Sequence, residues 1–171
     1  GAQGLWYYNY RISGTGFDEA MVTDIEGQPT TNYHRIQRLN TGILAIGSLL
    51  LKLKSVGVFH CPTEQEFLPE FTRAYHDGAV RGITQLDASD VLISELRDTD
   101  KNTSCIYLML VNKRHAADPL KTAKDLPRTI TLQLSECFNV AQIDNDTGIP
   151  RILALENHTL LLKLDGGDRA L

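Results

Sequence analysis

The chain has 171 residues, well short of the ~250 that a complete (β/α)₈ barrel needs, so a whole barrel enzyme is excluded. Hydrophobic residues make up 42% and charged residues 22%, which supplies a real core and sets the chain apart from disordered sequences. The net charge is 17 − 21 = −4 and no Lys/Arg cluster offers phosphates a stripe, so nucleic acid and anionic membrane surfaces are disfavoured as partners.

The chain opens on Gly1 without an initiator Met or a basic, apolar leader, as expected of a chain that starts after processing or inside a longer protein. Leu5-Trp6-Tyr7-Tyr8-Asn9-Tyr10, between Gly4 and Ser13-Gly14-Thr15-Gly16, reads as one strand. Its apolar character is nearly continuous, which suits a strand covered on both faces, as in a parallel sheet. After Glu26-Gly27-Gln28-Pro29, residues Tyr33, Ile36, Asn40, Ile43, Gly47, Leu50 and Lys54 recur at helical spacing, and Leu39, Ile46, Leu49 and Leu53 widen the stripe. With Thr30 or Thr31 as N-cap, this predicts a helix of roughly 23 residues. Gly42 and Gly47 each cost about 1 kcal/mol relative to Ala in a helix, so both are expected to sit in close packing. The longest apolar stretch, 43–51, is about half of the ~20 residues a membrane helix needs, so no span is expected.

From Val56 onward the period changes, and short β-branched runs alternate with turn residues. Strands are expected at 56–59, 91–97, 106–112, 129–134, 140–144, 152–155 and 159–164. Asp98-Thr99-Asp100-Lys101-Asn102 and Asp144-Asn145-Asp146-Thr147-Gly148 join neighbouring strands, with Gly148 free to take positive φ. Short antiparallel strands at this spacing indicate a β-sandwich. The stretch 61–88 has no clear element, and 114–126 reads as a long excursion. Charge divides along the same line: residues 1–62 carry five bases against four acids, residues 63–171 twelve against seventeen. Cys61, Cys105 and Cys137 are odd in number and widely spaced, so they write no disulfide framework and no metal knuckle.

Several of these residues together carry a resemblance. Gly1-Ala2-Gln3-Gly4-Leu5-Trp6-Tyr7-Tyr8-Asn9-Tyr10-Arg11, then Gly27-Gln28-Pro29-Thr30 and the helix after it, resemble the last βα unit of the TIM barrel in beta-galactosidase-like glycoside hydrolases. Leu53-Lys54-Ser55-Val56-Gly57-Val58-Phe59-His60 is similar to the passage from such barrels into a C-terminal β-domain. That domain's pattern is matched by Tyr107-Leu108-Met109-Leu110-Val111-Asn112-Lys113, Arg128-Thr129-Ile130-Thr131-Leu132, Ile143-Asp144-Asn145-Asp146-Thr147-Gly148 and Leu160-Leu161-Leu162-Lys163-Leu164 with Gly166-Gly167-Asp168. The implied fold is mainly β: an antiparallel β-sandwich of Greek-key type (55–171), preceded by one strand and one long α-helix left from a TIM barrel (1–54). The implied role is that of a non-catalytic accessory domain bracing the rest of the barrel, in a parent hydrolase that is periplasmic or extracellular, with no cofactor. The family's two catalytic carboxylates lie at the ends of the fourth and seventh barrel strands, so the resemblance implies that this chain carries neither. Sugar contacts in the intact parent would come from Trp6, Tyr8 or Tyr10 as an aromatic platform and from Asn9 and Arg11 as hydrogen-bonding groups, although aromatics in a buried strand serve equally as core. The strand at 5–10, separated from its barrel, is also expected to dock on the sandwich, to pair with a second copy of the chain, or to be disordered.

Other constellations favour structural readings. Glu64, Glu66 and Glu70 form the one dense carboxylate group, but their spacing shields none of them from water, as a raised pKa requires. His34, His60, His76, His115 and His158 lack ligand spacing. Asp98, Asp100 and Asn102 begin a calcium-loop pattern that Thr103 breaks, since such a loop needs glycine at its sixth position. Asn102, Asn145 and Asn157 open N-x-S/T sequons. A carbohydrate-binding module is the alternative reading, and the scarcity of aromatics after residue 80 outside Tyr107 and Phe138 counts against it.

Overall fold

The computed structural model describes residues 23, 24, 26–61, 68–70, 72–99, 105–114, 126–135, 139–165 and 169–171. The strand expected at 5–10 lies outside them. The chain divides into two compact units, residues 1–51 with 145–148, and residues 52–144 with 149–171.

In the first unit, Asp24 closes a turn by accepting hydrogen bonds at Oδ1 from the N–H groups of Glu26 and Gln28 (2.9 and 2.8 Å), and Thr23 bridges to Pro29. Thr30 then caps helix α1 (Thr31–Leu50) from an extended backbone, its Oγ1 accepting from the Tyr33 N–H at 3.3 Å. The helix has 20 residues, fewer than the apolar spacing suggests. Its last N–H bond runs from Leu51 to the Gly47 carbonyl, and two residues later Leu53 already pairs with Asp98 in a sheet. Sheet pairing therefore claims residues that helical periodicity assigns to α1. Gly42 is buried as expected, whereas Gly47 is not crowded: a Cβ there would meet nothing within 4 Å. The turn at 145–148 belongs to this unit, and Gly148 (φ +72°) sits so that a Cβ would lie 2.3 Å from the Ala45 carbonyl oxygen.

The second unit is mainly β. One sheet contains, in spatial order, β10 (Arg169–Ala170), β5 (Tyr107–Asn112), β4 (Val91–Asp98), β1 (Leu53–Cys61) and β2 (Arg73–Ala74), antiparallel except for the short parallel pairing of β1 with β2. The other contains β3 (Ile83–Asp87), β6 (Arg128–Leu134) and β9 (Thr159–Leu164), all antiparallel. β7 (Val140–Ile143) and β8 (Pro150–Leu153) form a separate antiparallel hairpin, whose Ile143 N–H donates to the carbonyl of Leu171, just beyond β10, at 2.6 Å.

Alternation puts Phe59, Cys61, Val91, Ile93 and Leu110 on the inner face of the first sheet. It puts Ile83, Leu86, Ile130, Leu132, Leu134, Leu160 and Leu164 on the inner face of the second. All are buried in one continuous cluster, the arrangement of a β-sandwich.

Strands at 91–98, 107–112, 128–134, 140–143 and 159–164 fall where the sequence pattern puts them. β3 does not announce itself, because a bulge between Ile83 and Gln85 spaces its two buried residues, Ile83 and Leu86, by three instead of two. A second bulge, between Ser55 and Gly57, masks the alternation of β1, which runs longer than residues 56–59. At that point Gly57 makes room for a ring: a Cβ there would lie 2.8 Å from the Phe59 side chain. β8 begins at Pro150, two residues before the expected start, since an edge strand does not need that N–H.

Candidate functional site

Trp6, Asn9, Tyr10 and Arg11, the residues the family resemblance places on sugar, lie outside the described residues, as do Tyr8, Glu64, Glu66, Asp100, Asn102 and His115. Glu70, His34, His76 and His158 are exposed and not gathered into one site, whereas His60 is buried. Asp144, Asp146 and Gly148 form the hairpin turn between β7 and β8, as their spacing suggests. Cys61 and Cys105 are free thiols, the first buried and the second exposed.

A dense polar constellation among the described residues of the second unit lies at one end of the sandwich, where the strands begin or end in loops. Asn112, the last residue of β5, stands opposite Val91 and so points inward, and it is fully buried. Its Nδ2 donates toward the carbonyls of Leu126 (3.0 Å), Leu164 (3.2 Å) and Asp165 (3.0 Å), and its Oδ1 accepts from the Arg114 N–H (3.1 Å). One amide thus ties the exit of β5 to the entry of β6 and the exit of β9. A buried polar group is tolerated only when so satisfied.

Asp90 stands beside it, just before β4, with φ +59°. Its Oδ2 accepts from Arg114 Nε at 2.9 Å and from Arg128 Nη2, and its carbonyl accepts from the Lys113 N–H at 2.7 Å. Partial burial by itself would raise the Asp90 carboxyl pKa, but the hydrogen bonds and charges of Arg128 and Arg114 outweigh it and hold the group below its ordinary value. Lys113 extends its ammonium to His60 Nδ1 at 3.2 Å.

Tyr75 packs against the core, and its N–H donates to the His60 carbonyl at 2.7 Å. Burial, with smaller contributions from Asp77 and Cys61, pushes its phenol up to about 12. Its hydroxyl is buried with no hydrogen-bond partner among the described residues.

The chemistry this constellation performs is structural. Both arginines converge on one carboxylate oxygen and the Asn112 amide is spent on main-chain carbonyls, so these groups hold loops together. Sequence inspection misses it because its members are scattered: Asn112 meets Asp165 across 53 residues and Asp90 meets Arg128 across 38. The one local signal is a polar Asn closing the apolar run 107–111.

In the first unit, His34, Gln37, Arg38 and Thr41 of α1 and Asp146 of the turn line an open groove. Thr41 Oγ1 is engaged with the Gln37 carbonyl at 2.9 Å, and the His34 ring meets Tyr33 edge-on at 5.2 Å.

A mainly β, sandwich-type fold, with one helix among the described residues, is thus the class that the structure defines. No family model, curated protein or solved structure matches it.

Proposed function

We propose that the chain is a non-catalytic accessory part of a glycoside hydrolase: the last strand and helix of a TIM barrel (1–54) and a Greek-key β-sandwich (55–171) that braces it. The parent's identity rests on the resemblance described above. The observation that carries the bracing role is the second apolar face of α1. Gly42 and Ile46 are buried, yet Leu44 is 80% exposed and Leu51, at the C-cap, is 69% exposed. At about 100° per residue, Leu44 lies about 160° around the axis from Ile46 and Leu51 about 140°. A helix apolar on opposite sides suits a barrel helix, which is flanked by neighbours as well as by its strands. Sugar contact through Trp6, Asn9, Tyr10 and Arg11 belongs to the assembled parent in this reading.

Leu44→Glu tests the idea. In the isolated chain the substitution should leave thermal stability unchanged, because the side chain is already in water. In the complete parent, whose upstream reading frame should encode seven βα units with carboxylates at two strand ends, it should lower Tm. A frame lacking those units would overturn the reading. So would turnover of aryl glycosides by the isolated chain, and millimolar or tighter oligosaccharide binding by it would favour a carbohydrate-binding module instead.

A further inference from the structure

Edge strands expose rows of unpaired N–H and C=O groups, and proteins blunt them with short length, bulges, proline or charge. Among the described residues, the edge strands β2, β3 and β8 are blunted. β2 has two residues and carries Arg73, β3 has a bulge and ends on Asp87, and β8 opens with Pro150 followed by Arg151. β9 is different. It runs six residues, TLLLKL, in unbroken register with β6, and no strand flanks its other side among the described residues.

The hydrogen-bond phase shows which groups face outward. The Leu134 N–H donates to the His158 carbonyl at 2.9 Å, continuing the register in which Gln133 faces Thr159. In an antiparallel ladder hydrogen-bonded pairs recur every second residue, so Leu160, Leu162 and Leu164 bond to β6 while Thr159, Leu161 and Lys163 turn their backbone groups away from it. Thr159 satisfies its own through Glu156, in both directions (2.8 and 3.1 Å). What the edge offers is therefore the N–H and C=O of Leu161 and Lys163. Beside them the Leu161 side chain is 64% exposed.

We propose that β9 is a self-association edge, occupied by β9 of a second copy in antiparallel, two-fold pairing centred on Leu162. That register sets Leu161 opposite Lys163 of the other copy and Lys163 opposite Leu161. Four backbone hydrogen bonds then use the available groups of both chains. Leu162 meets its own mate on the inner face, where its side chain already packs against the core, and Leu160 faces Leu164. No like charges are opposed, whereas centring the pair on Lys163 would juxtapose two ammonium groups. The result is one six-stranded sheet, β3-β6-β9-β9-β6-β3, through two chains. This inference is independent of any parent enzyme.

Sedimentation equilibrium of the intact chain, followed to about 0.1–1 mM because so small an added interface is expected to be weak, should show a species of twice the 19.0 kDa chain mass. Leu161→Lys sets ammonium against ammonium and should abolish that species, while Leu161→Glu should preserve it and make it sensitive to salt. Should the lysine variant not fold, hydrogen exchange of the wild type still decides: the Leu161 and Lys163 amides should slow as concentration rises, with Leu160 and Leu162 unchanged. A wild type that stays monomeric throughout, or a lysine variant that associates as well as the wild type, overturns the proposal.

Discussion

Replacing Asn112 should destabilise the sandwich more than almost any other polar substitution in the second unit. Asn112→Ala removes a side chain with no solvent exposure, and with it the donors to the Leu126, Leu164 and Asp165 carbonyls and the acceptor for the Arg114 N–H. Two N–H groups serve three carbonyls, so the loss amounts to three full hydrogen bonds, each worth about 1 kcal/mol net, plus the desolvation cost of main-chain groups left without partners. The expected cost is about 3–5 kcal/mol, a large share of the ~5–15 kcal/mol that keeps a domain folded. Urea unfolding followed by the far-UV β-sheet signal would read it as a lower midpoint at unchanged m. Asn112→Asp sharpens the test. Its shape is the same, but at neutral pH a carboxylate replaces the donor and faces three carbonyl oxygens, so it should be worse than Ala. Its folded-state pKa would be raised, so the variant should be most stable below about pH 4 and lose stability as pH rises through the folded-state value. An alanine cost under about 1 kcal/mol, or an aspartate more stable than alanine at pH 7, would refute the assignment of Asn112 as the tie between these loops.

Asp90, held below its ordinary pKa chiefly by Arg128 and Arg114 against the opposing effect of burial, contributes stability that is present above about pH 4 and lost as pH falls through its lower folded-state value. Asp90→Asn, which keeps a residue type tolerant of φ +59°, should flatten that acid limb in urea midpoints taken at several pH values. Tyr75, with its phenol pushed up to about 12, should destabilise the fold as pH rises above about 10, where only the unfolded chain ionises. Tyr75→Phe should weaken that alkaline loss and, by removing a buried hydroxyl without a partner, raise neutral-pH stability by about 1 kcal/mol, read in the same urea assay. Gly148→Ala should cost more than about 2 kcal/mol in thermal unfolding, since φ +72° is unfavourable for Ala and its Cβ would press on the Ala45 carbonyl. His158→Gly, in a two-residue turn where Asn157 and His158 take φ +49° and +62°, should raise Tm through a gain of up to ~1 kcal/mol.

What could be read from the chain and what could not separates by the range of the interaction involved. β9 is visible as five apolar or β-branched residues around Lys163 bounded by Asn157-His158 and Gly166, and every one of those signals lies within a few residues of the others. The Asn145–Gly148 turn is visible for the same reason. β3 is not, because its bulge destroys the only local signal a strand has, and it is held in place by β6, some 50 residues on. The end of α1 fails in the opposite sense: the local pattern is good for a longer helix, but pairing of Leu53 with Asp98, 45 residues away, competes for the same backbone and wins.

The Asn112 constellation takes this furthest. Apart from closing the apolar run 107–111, Asn112 has no local signal, and its importance comes chiefly from three carbonyls distant in sequence, those of Leu126, Leu164 and Asp165. The edge of β9 is an intermediate case. Its composition is legible, but whether Leu161 or Leu162 turns its backbone toward a partner depends on the phase of the ladder, which one hydrogen bond at Leu134 sets. Side-chain pattern alone reports which face a strand buries; the direction of its hydrogen bonds, and so its capacity to add another strand, becomes visible only once the neighbouring register is known.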